Sequence, residues 1–144
     1  MTKGAQFLIA MLLLATIGSS CWGYPTMGIN TVRTRQDGLS VHLERCDFQS
    51  MTPRVIRLEI RSDDDPNPTA APLCGLVSPD RGKLLPLSEW EYGRPIPGFL
   101  LVGPCQPLPP GRYVVSVEGS GAGSRGIVVD SDGRVHQGPS RCGP

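Results

Sequence analysis

The sequence predicts an all-β fold: a small antiparallel β-sandwich, stapled by disulfides, that forms one exported domain. Short segments of alternating apolar and polar residues recur along the chain, and no window outside the N-terminus shows the period of a helix. Glycine and proline, with 18 and 15 residues, break the chain into short segments joined by turns. A small, partly open barrel built from the same strands is the alternative architecture.

Residues 1–20 are typical of an export signal. Lys3 provides the positive charge, and residues 7–17 (FLIAMLLLATI) form an uncharged apolar run that is followed by small residues. A membrane-spanning helix needs about 20 apolar residues, so this run suits a signal peptide and is too short for a span. We therefore expect export, with residues 1–20 removed.

Cys21 stands at the boundary where the export signal is cleaved. The sequence IGSSC at residues 17–21 resembles the lipobox of bacterial lipoproteins, in which the cysteine carries the lipid. The resemblance implies that Cys21 anchors the chain, and Trp22 replaces the aspartate that retains lipoproteins at the inner membrane. The implied location is the periplasmic face of the bacterial outer membrane. The alternative is ordinary cleavage after Ser20 or Gly23, which gives a secreted or periplasmic protein.

After removal of the signal the chain carries no net charge. Of 14 Lys and Arg residues, Lys3 lies in the signal, which leaves 13 against 13 Asp and Glu. A nucleic-acid partner demands a basic surface, so this balance argues against one. Residues 21–28 are predicted to be a lipid-proximal linker, and residues 29–144 suffice for a single β-sandwich domain.

The first half of the domain is predicted to hold a hairpin and one longer strand. Residues 29–35 and 39–43 are short runs joined through Asp37-Gly38, a pair typical of a tight hairpin turn. Residues 55–61 alternate apolar and charged side chains, which predicts a half-buried antiparallel strand. Residues 62–72 are polar and interrupted by prolines, which indicates a loop.

The second half is predicted to hold shorter strands. Short strands and loops are expected around Leu84-Leu85 and Trp90, and residues 99–102 are continuously apolar. Strands are predicted at 113–117 and 127–129, with a loose glycine-rich connection between them, and a last strand begins at Val135. The side chains expected to face the core are Ile56, Leu58, Ile60, Tyr113, Val115, Val117, Ile127 and Val129.

The segment LPPGRYVVSVEG at residues 108–119 resembles a recurring piece of Ig-like and prealbumin-like β-sandwiches. In those domains the stretch enters a long inner strand, and its tyrosine closes a corner by bonding to nearby backbone. Tyr113 matches that tyrosine. The resemblance implies a sandwich architecture and carries no function.

Four cysteines remain once Cys21 is set aside: Cys46, Cys74, Cys105 and Cys142. In an exported domain this even set indicates two disulfides, and spacing alone permits three pairings. We favour Cys74–Cys105, which closes the irregular, proline-rich middle of the chain. The second bond is then Cys46–Cys142, which ties down a C-terminal tail that would otherwise fray.

No catalytic or cofactor motif survives inspection, and the protein is predicted not to be an enzyme. Residues 121–126 spell G-x-G-x-x-G, but a strand pattern follows where a dinucleotide site needs a helix. Ser124 imitates a nucleophile elbow, with Asp130 or Asp132 and His136 after it, yet an elbow joins a parallel strand to a helix. The better interpretation is a solvated hairpin loop, and no cofactor is predicted.

No metal site is predicted either. Asp63-Asp64-Asp65 offers clustered carboxylates of the kind calcium prefers, but such runs are more often solvated loops. Residues 130–133 start like a calcium loop and lack its closing glutamate. His42 and His136 lie outside any ligand spacing typical of zinc.

Trp90, Tyr92 and Phe99 are the candidate partner surface, because aromatic side chains on a proline-stiffened loop lose little entropy on binding. The alternative is that Trp90 and Phe99 cover the core. Together these features predict a non-catalytic cell-envelope lipoprotein that acts as an interaction, inhibitor or assembly module for another envelope protein. The alternative is a secreted β-domain that binds a small ligand or calcium.

Replacing Cys21 tests the lipid anchor. Cys21→Ser removes the thiol that would carry the lipid, so the protein is expected to move from the membrane fraction to the soluble periplasm. Cell fractionation followed by immunoblotting measures the shift against the wild-type chain. Unchanged partitioning of the variant would favour simple secretion.

Overall fold

The computed structural model describes residues 27–33, 38–46, 51–65, 67, 69–80 and 82–138. Every regular element within these ranges is a β-strand, which confirms the all-β prediction. None of these residues belongs to a helix long and apolar enough to cross a membrane. The strands are β1 (Met27–Arg33), β2 (Leu39–Arg45), β3 (Arg54–Ser62), β4 (Cys74–Val77), β5 (Leu85–Pro86), β6 (Glu89–Glu91), β7 (Leu100–Val102), β8 (Gly111–Gly119), β9 (Ala122–Val129) and β10 (Val135–Gln137).

The smaller sheet has three strands in the order β1-β2-β6. β1 and β2 pair antiparallel from Met27↔Arg45 to Arg33↔Leu39, which confirms the predicted hairpin. β6 adds to the other side of β2, with Trp90 opposite Val41. β1 begins at a buried Met27, two residues inside the segment expected to be a linker.

The larger sheet has the order β10-β9-β8-β3-β4-β7, and β5 pairs with the start of β3. All of its pairings are antiparallel, and the long central strands β3 and β8 form its middle. The two sheets pack against each other, so the predicted antiparallel β-sandwich is confirmed. Alternating side chains of β8, Tyr113, Val115 and Val117, face the smaller sheet and are buried.

The hydrophobic core lies between the sheets and contains all but one of the side chains predicted for it. Leu58, Ile60 and Ile127 are among those confirmed as buried. The smaller sheet contributes its own inward residues, and the core also holds one aromatic side chain that was proposed for the surface. These additional core residues are Met27, Ile29, Leu39, Val41, Leu43 and Trp90.

The prediction that Ile56 faces the core is wrong. Ile56 is half-buried, and the fully buried side chain at this end of β3 is Val55. The cause is an irregularity in the pairing of β3 with β8, where the register shifts between Val55 and Arg57. Such a bulge moves the inward-facing positions of the strand by one residue. A sequence that alternates regularly does not reveal it.

The prediction of a loose connection at residues 119–124 is also wrong. β9 begins at Ala122, which pairs with Glu118, so the β8–β9 turn is tight. Gly119 N–H donates to the carbonyl of Gly121 across that turn, at 2.8 Å. The G-x-G-x-x-G sequence therefore lies mostly within a strand, and no helix follows it to receive a phosphate.

The predicted disulfide between Cys74 and Cys105 is confirmed, with an S–S distance of 2.02 Å. Cys46 is also disulfide-bonded. Cys142 and Cys21, the two cysteines left to pair with Cys46, lie outside the described residues. The Cys46–Cys142 bond therefore stays a prediction, as do the lipidation of Cys21 and the export signal before it.

Mass spectrometry of a non-reduced digest checks that second bond. We expect a peptide that joins Cys46 to Cys142, because the bond would fix the C-terminal tail, and a separate N-terminal peptide whose mass includes a lipid on Cys21. A bond between Cys46 and Cys21 would contradict both the pairing and the lipid anchor.

The two sheets meet closely where β1 crosses β9. A Cβ atom built on Gly123 would collide with the carbonyl oxygen of Met27, so β1 can lie here only because residue 123 has no side chain. One guanidinium nitrogen of Arg125 donates to the carbonyl of Ile29 at 2.5 Å, and the other to that of Gly138. Arg125 therefore ties β1 and the segment after β10 to β9.

Alanine at the crossing point should weaken the domain. Gly123→Ala is expected to lower the free energy of unfolding by about 1–3 kcal/mol, because the new methyl group must displace the backbone of Met27. Urea denaturation measures the change. Gly126→Ala is the matched control in the same strand, since a Cβ there meets nothing within 4 Å, and it should leave stability unchanged or slightly raised. Equal stability of the two variants would contradict the close approach.

Candidate functional site

The most distinctive surface is an uncharged stretch between Arg94 and Arg112. Residues 95–111 (PIPGFLLVGPCQPLPPG) contain no Asp, Glu, Lys or Arg, and most of them are exposed. We call this stretch the apolar edge. It contains β7, which ends the larger sheet on the side opposite β9 and β10.

β7 exposes two leucines. Leu100 is 54% exposed and Leu101 is 37% exposed, although most large apolar side chains of the described residues are buried. Leu101 pairs with the buried Leu76 of β4, so it continues the core face of the sheet beyond the last covered strand. Leu100 points to the opposite face, because successive side chains of a strand alternate.

Beyond the end of β7, the apolar edge covers a cavity of about 250 Å³. Leu73, Tyr92 and Leu108 form part of its wall, and no charged residue lines it. Its full lining is Ser62, Leu73, Tyr92, Pro104, Gln106, Pro107, Leu108, Pro109 and Tyr113. The size suits one or two apolar side chains, or a small apolar molecule.

Two tyrosines hold the proline-rich wall of this cavity. The hydroxyl of Tyr92 donates to the carbonyl of Gln106 at 2.7 Å, and that of Tyr113 donates to the carbonyl of Pro109 at 2.5 Å. The second bond is the contact with nearby backbone that was expected of Tyr113. The two accepting carbonyls are three residues apart in the chain.

The tyrosines remain hydrogen-bond donors at ordinary pH. Burial raises the pKa of both phenols, and for Tyr92 the neighbouring Tyr113 raises it further. A phenol with a raised pKa keeps its proton, and only the protonated form can donate to a carbonyl. Both bonds therefore persist across the neutral range.

The disulfide fixes the same segment from its other side. Cys74 is fully buried at the start of β4, and Cys105 lies in the exposed segment with a left-handed φ of 50°. The N–H of Cys105 donates to the carbonyl of Leu73 at 2.9 Å. Gly103, with φ of +87°, passes so close to the backbone of Pro72 that a side chain there would clash. The wall of the cavity is thus built on a rigid backbone.

Trp90 does not belong to the surface, which corrects the partner-surface prediction for this residue. It is 1% exposed, and its indole N–H donates to the carbonyl of Arg94 at 2.8 Å. Phe99 is half-buried against the core, so the alternative interpretation of these two aromatics is the one that the structure has. Tyr92 is half-buried too, and the structure makes it a wall of the cavity.

Ser124, Asp130 and His136 do not form a catalytic group. His136 pairs opposite Val128, and Ser124 lies about 13 Å from that position at the usual rise of a strand. The ring of His136 bonds instead to the carboxylate of Asp130 at 2.8 Å. This bond, and next the N–H of Arg134, lower the pKa of Asp130, which thereby stabilises the turn before β10.

A second serine, histidine and carboxylate meet on the smaller sheet, and the carboxylate comes from a residue far from the other two in the sequence. The hydroxyl of Ser40 lies 3.3 Å from Nε2 of His42 and donates to Glu89 at 3.1 Å. The same Nε2 is 3.6 Å from Glu89. In a catalytic triad the carboxylate holds the other ring nitrogen and leaves Nε2 for the serine. This arrangement is therefore structural.

The aspartate run does not gather into a cation site. The carboxylate of Asp63 pairs with Arg112 at 3.3 Å, and that of Asp65 accepts the backbone N–H of Asn67 at 2.9 Å. Within the described ranges, no three His, Cys, Asp or Glu side chains come together as metal ligands would. Asp63 thus ties the loop to the start of β8, and Asp65 stabilises the loop itself.

The outer face of the larger sheet is polar. It carries a shallow concavity of about 500 Å³ lined by Glu59, Ser116 and Ser124 among others. Glu59 is nearly buried there, and its carboxylate pairs with Arg61 at 3.1 Å and with Arg57 at 3.6 Å. Because both oxygens are matched by cations, this face offers a ligand less than the apolar edge does.

The comparisons with known proteins leave the apolar edge as the main guide to function. No protein-family model, no curated protein and no solved structure matches the chain.

Proposed function

We propose that this protein is a non-catalytic lipoprotein of the cell envelope whose apolar edge binds another envelope protein. In this proposal the partner inserts an apolar side chain into the cavity between Tyr92 and Leu108. The observation that carries the proposal is an uncharged cavity of about 250 Å³ beside two exposed leucines on a rigid wall. Exposed apolar patches of this kind are typical of interaction sites.

The chemistry of the lining favours an apolar occupant. The hydroxyls of Tyr92 and Tyr113, which are the best donors near the cavity, already donate to Gln106 and Pro109. A charged group entering here would lose its water and find no opposite charge. An apolar side chain loses nothing comparable and removes further apolar area from water.

The rigidity of the wall also favours binding. Cys105 is joined covalently to the core, and prolines restrict the backbone around it. A partner that docks against such a wall does not have to order it, so little conformational entropy is lost on association.

The position of the apolar edge suits a tethered protein. β1, the strand that follows Cys21 in sequence, is tied to β9 through Arg125. From β9 to β7 the sheet order runs through β8, β3 and β4, a distance of about 19 Å at the usual strand spacing. The chain that leads from Cys21 would therefore enter the sandwich at its β9 side, away from the apolar edge.

The same cavity supports a second candidate function, the binding of a small apolar ligand. Its volume and uncharged lining suit a single aromatic ring as well as a side chain. Calcium, the other part of that alternative, has less support because Asp63 is paired with Arg112.

A charge at the rim of the cavity tests the proposal. Pro107 is exposed and lines the cavity, and Pro110 is exposed and does not. Pro107→Glu is expected to reduce capture of the partner by about tenfold or more, because the carboxylate must be desolvated on docking. Cross-linking in intact cells followed by purification of the full chain measures the capture, with Pro110→Glu as the matched control.

Three outcomes separate the candidates. Loss of one specific captured protein in Pro107→Glu and its retention in Pro110→Glu support the proposal. Equal capture by both variants would rule out the cavity as the binding site. If no protein is captured but a small aromatic molecule raises the Tm of the wild type and not of Pro107→Glu, the small-ligand function replaces it.

A further inference from the structure

We propose that two copies of this chain pair through their β7 strands, antiparallel and about a twofold axis, so that the larger sheet continues from one copy into the other. The pairing uses the strand edge rather than the cavity. It therefore goes beyond the binding of an envelope partner and does not depend on it.

The open side of β7 is the first observation. β4 occupies one side of β7, with Leu76 opposite Leu101, and no described strand pairs with the other side. An edge strand presents a row of backbone N–H and C=O groups to any strand that can lie beside it.

The second observation is that β7 lacks the charged side chains that usually protect a sheet edge. Sheet edges are normally guarded by charged side chains, especially lysine. The described strand at the far end of this sheet, β10, carries the exposed polar residues His136 and Gln137, and β6 at the edge of the smaller sheet carries Glu89 and Glu91. β7 has Leu-Leu-Val, and its first two residues are exposed.

The composition of β7 and its flanks suits a second copy as the occupant. In a twofold contact a residue on the axis meets its own counterpart, so a charge at that position would meet a like charge. Residues 95–111 hold none. With the axis at Leu101, that residue lies opposite Leu101 of the second copy, and Leu100 lies opposite Val102. All of these cross-strand pairs are apolar and therefore favourable.

The residues that flank β7 limit the contact to a dimer. Pro97 and Pro104 lack the N–H that a longer ladder would need, so pairing cannot spread beyond a few residues. β10, at the other end of the sheet, is polar and does not match β7. Like therefore pairs with like, which gives a dimer rather than a filament.

Dimerisation would also place two cavities on one assembly. The cavity begins at Pro104, just beyond β7, so each copy brings its own cavity next to the twofold axis. A partner with two matching segments would then bind both, and the second contact would form at a high effective concentration.

Sedimentation velocity of the full chain, in density-matched detergent, tests the pairing. The wild type is expected to shift from monomer to dimer as its concentration rises. Added salt should not dissociate the dimer, because no ion pair stabilises it. Leu101→Lys should remain monomeric, since two lysines would meet at the axis. Val128→Lys, at a side chain of β9 that is 43% exposed, is the matched control and should dimerise like the wild type.

A wild type that stays monomeric at every concentration, or a Leu101→Lys chain that dimerises as well as the wild type, would overturn the inference. If Leu101→Lys lowers the Tm, Leu100→Lys takes its place, because Leu100 is the more exposed leucine. Partner capture is measured in parallel. A monomeric lysine variant that still captures a partner supports the dimer separately, and a failed dimer leaves the Pro107→Glu result unaffected.

Discussion

The disulfide between Cys74 and Cys105 is the constraint on which the apolar edge depends. Cys74 is fully buried beside β3, whereas Cys105 lies in a segment without regular structure, between β7 and β8. Closing a loop of this separation, 31 residues, contributes about 3.7 kcal/mol by loop entropy. Small domains have a total stability of about 5–15 kcal/mol, so this bond is a large part of it. Without it, only hydrogen bonds and packing would hold the proline-rich segment on the core.

The composition of that segment explains why tyrosines complete the attachment. Prolines remove backbone N–H groups, so residues 104–110 offer mainly carbonyl acceptors. A neighbouring strand could not satisfy them by a regular ladder, but side-chain donors can. Tyr92 and Tyr113 each supply one hydroxyl to carbonyls three residues apart, and their long rings keep the segment at a distance from the sheet. The cavity is the space left between those rings and the prolines.

The sequence was sufficient to predict the elements whose pattern is local. Alternation in β3 and β8, the antiparallel pairing of β1 with β2, and the disulfide between Cys74 and Cys105 are each governed by a few adjacent residues or by chain closure. The sequence was not sufficient where a distant strand determines which residues are buried or paired. Val55 is buried in the core instead of Ile56, because the register of β3 shifts against β8. The glycines of β9 suggested a loop, yet Gly123 is required for β1 to cross.

The candidate site shows the same division between local and distant causes. The sequence shows that residues 95–111 carry no charge, but it does not show that they are exposed. Leu101 lies beside the buried Leu76, and whether it faces solvent or core depends on how far the smaller sheet extends over the larger one. Trp90 was assigned to the surface for the corresponding reason, because its burial follows from its pairing with Val41 in that sheet.

The charges on the other strand edges give the uncharged state of β7 its meaning. A chain with 13 acidic and 14 basic residues has enough charges to guard every edge. It places glutamates on β6, and the ring of His136 on β10 bonds to the carboxylate of Asp130. β7 carries leucines instead, and exposed leucines on a sheet edge normally have a cost in solubility. That cost disappears when the edge is covered. A surface that is rigid, uncharged and adjacent to a preformed cavity therefore has the properties expected of an interface, and the polar faces of the sandwich have the properties expected of its solvent-exposed sides.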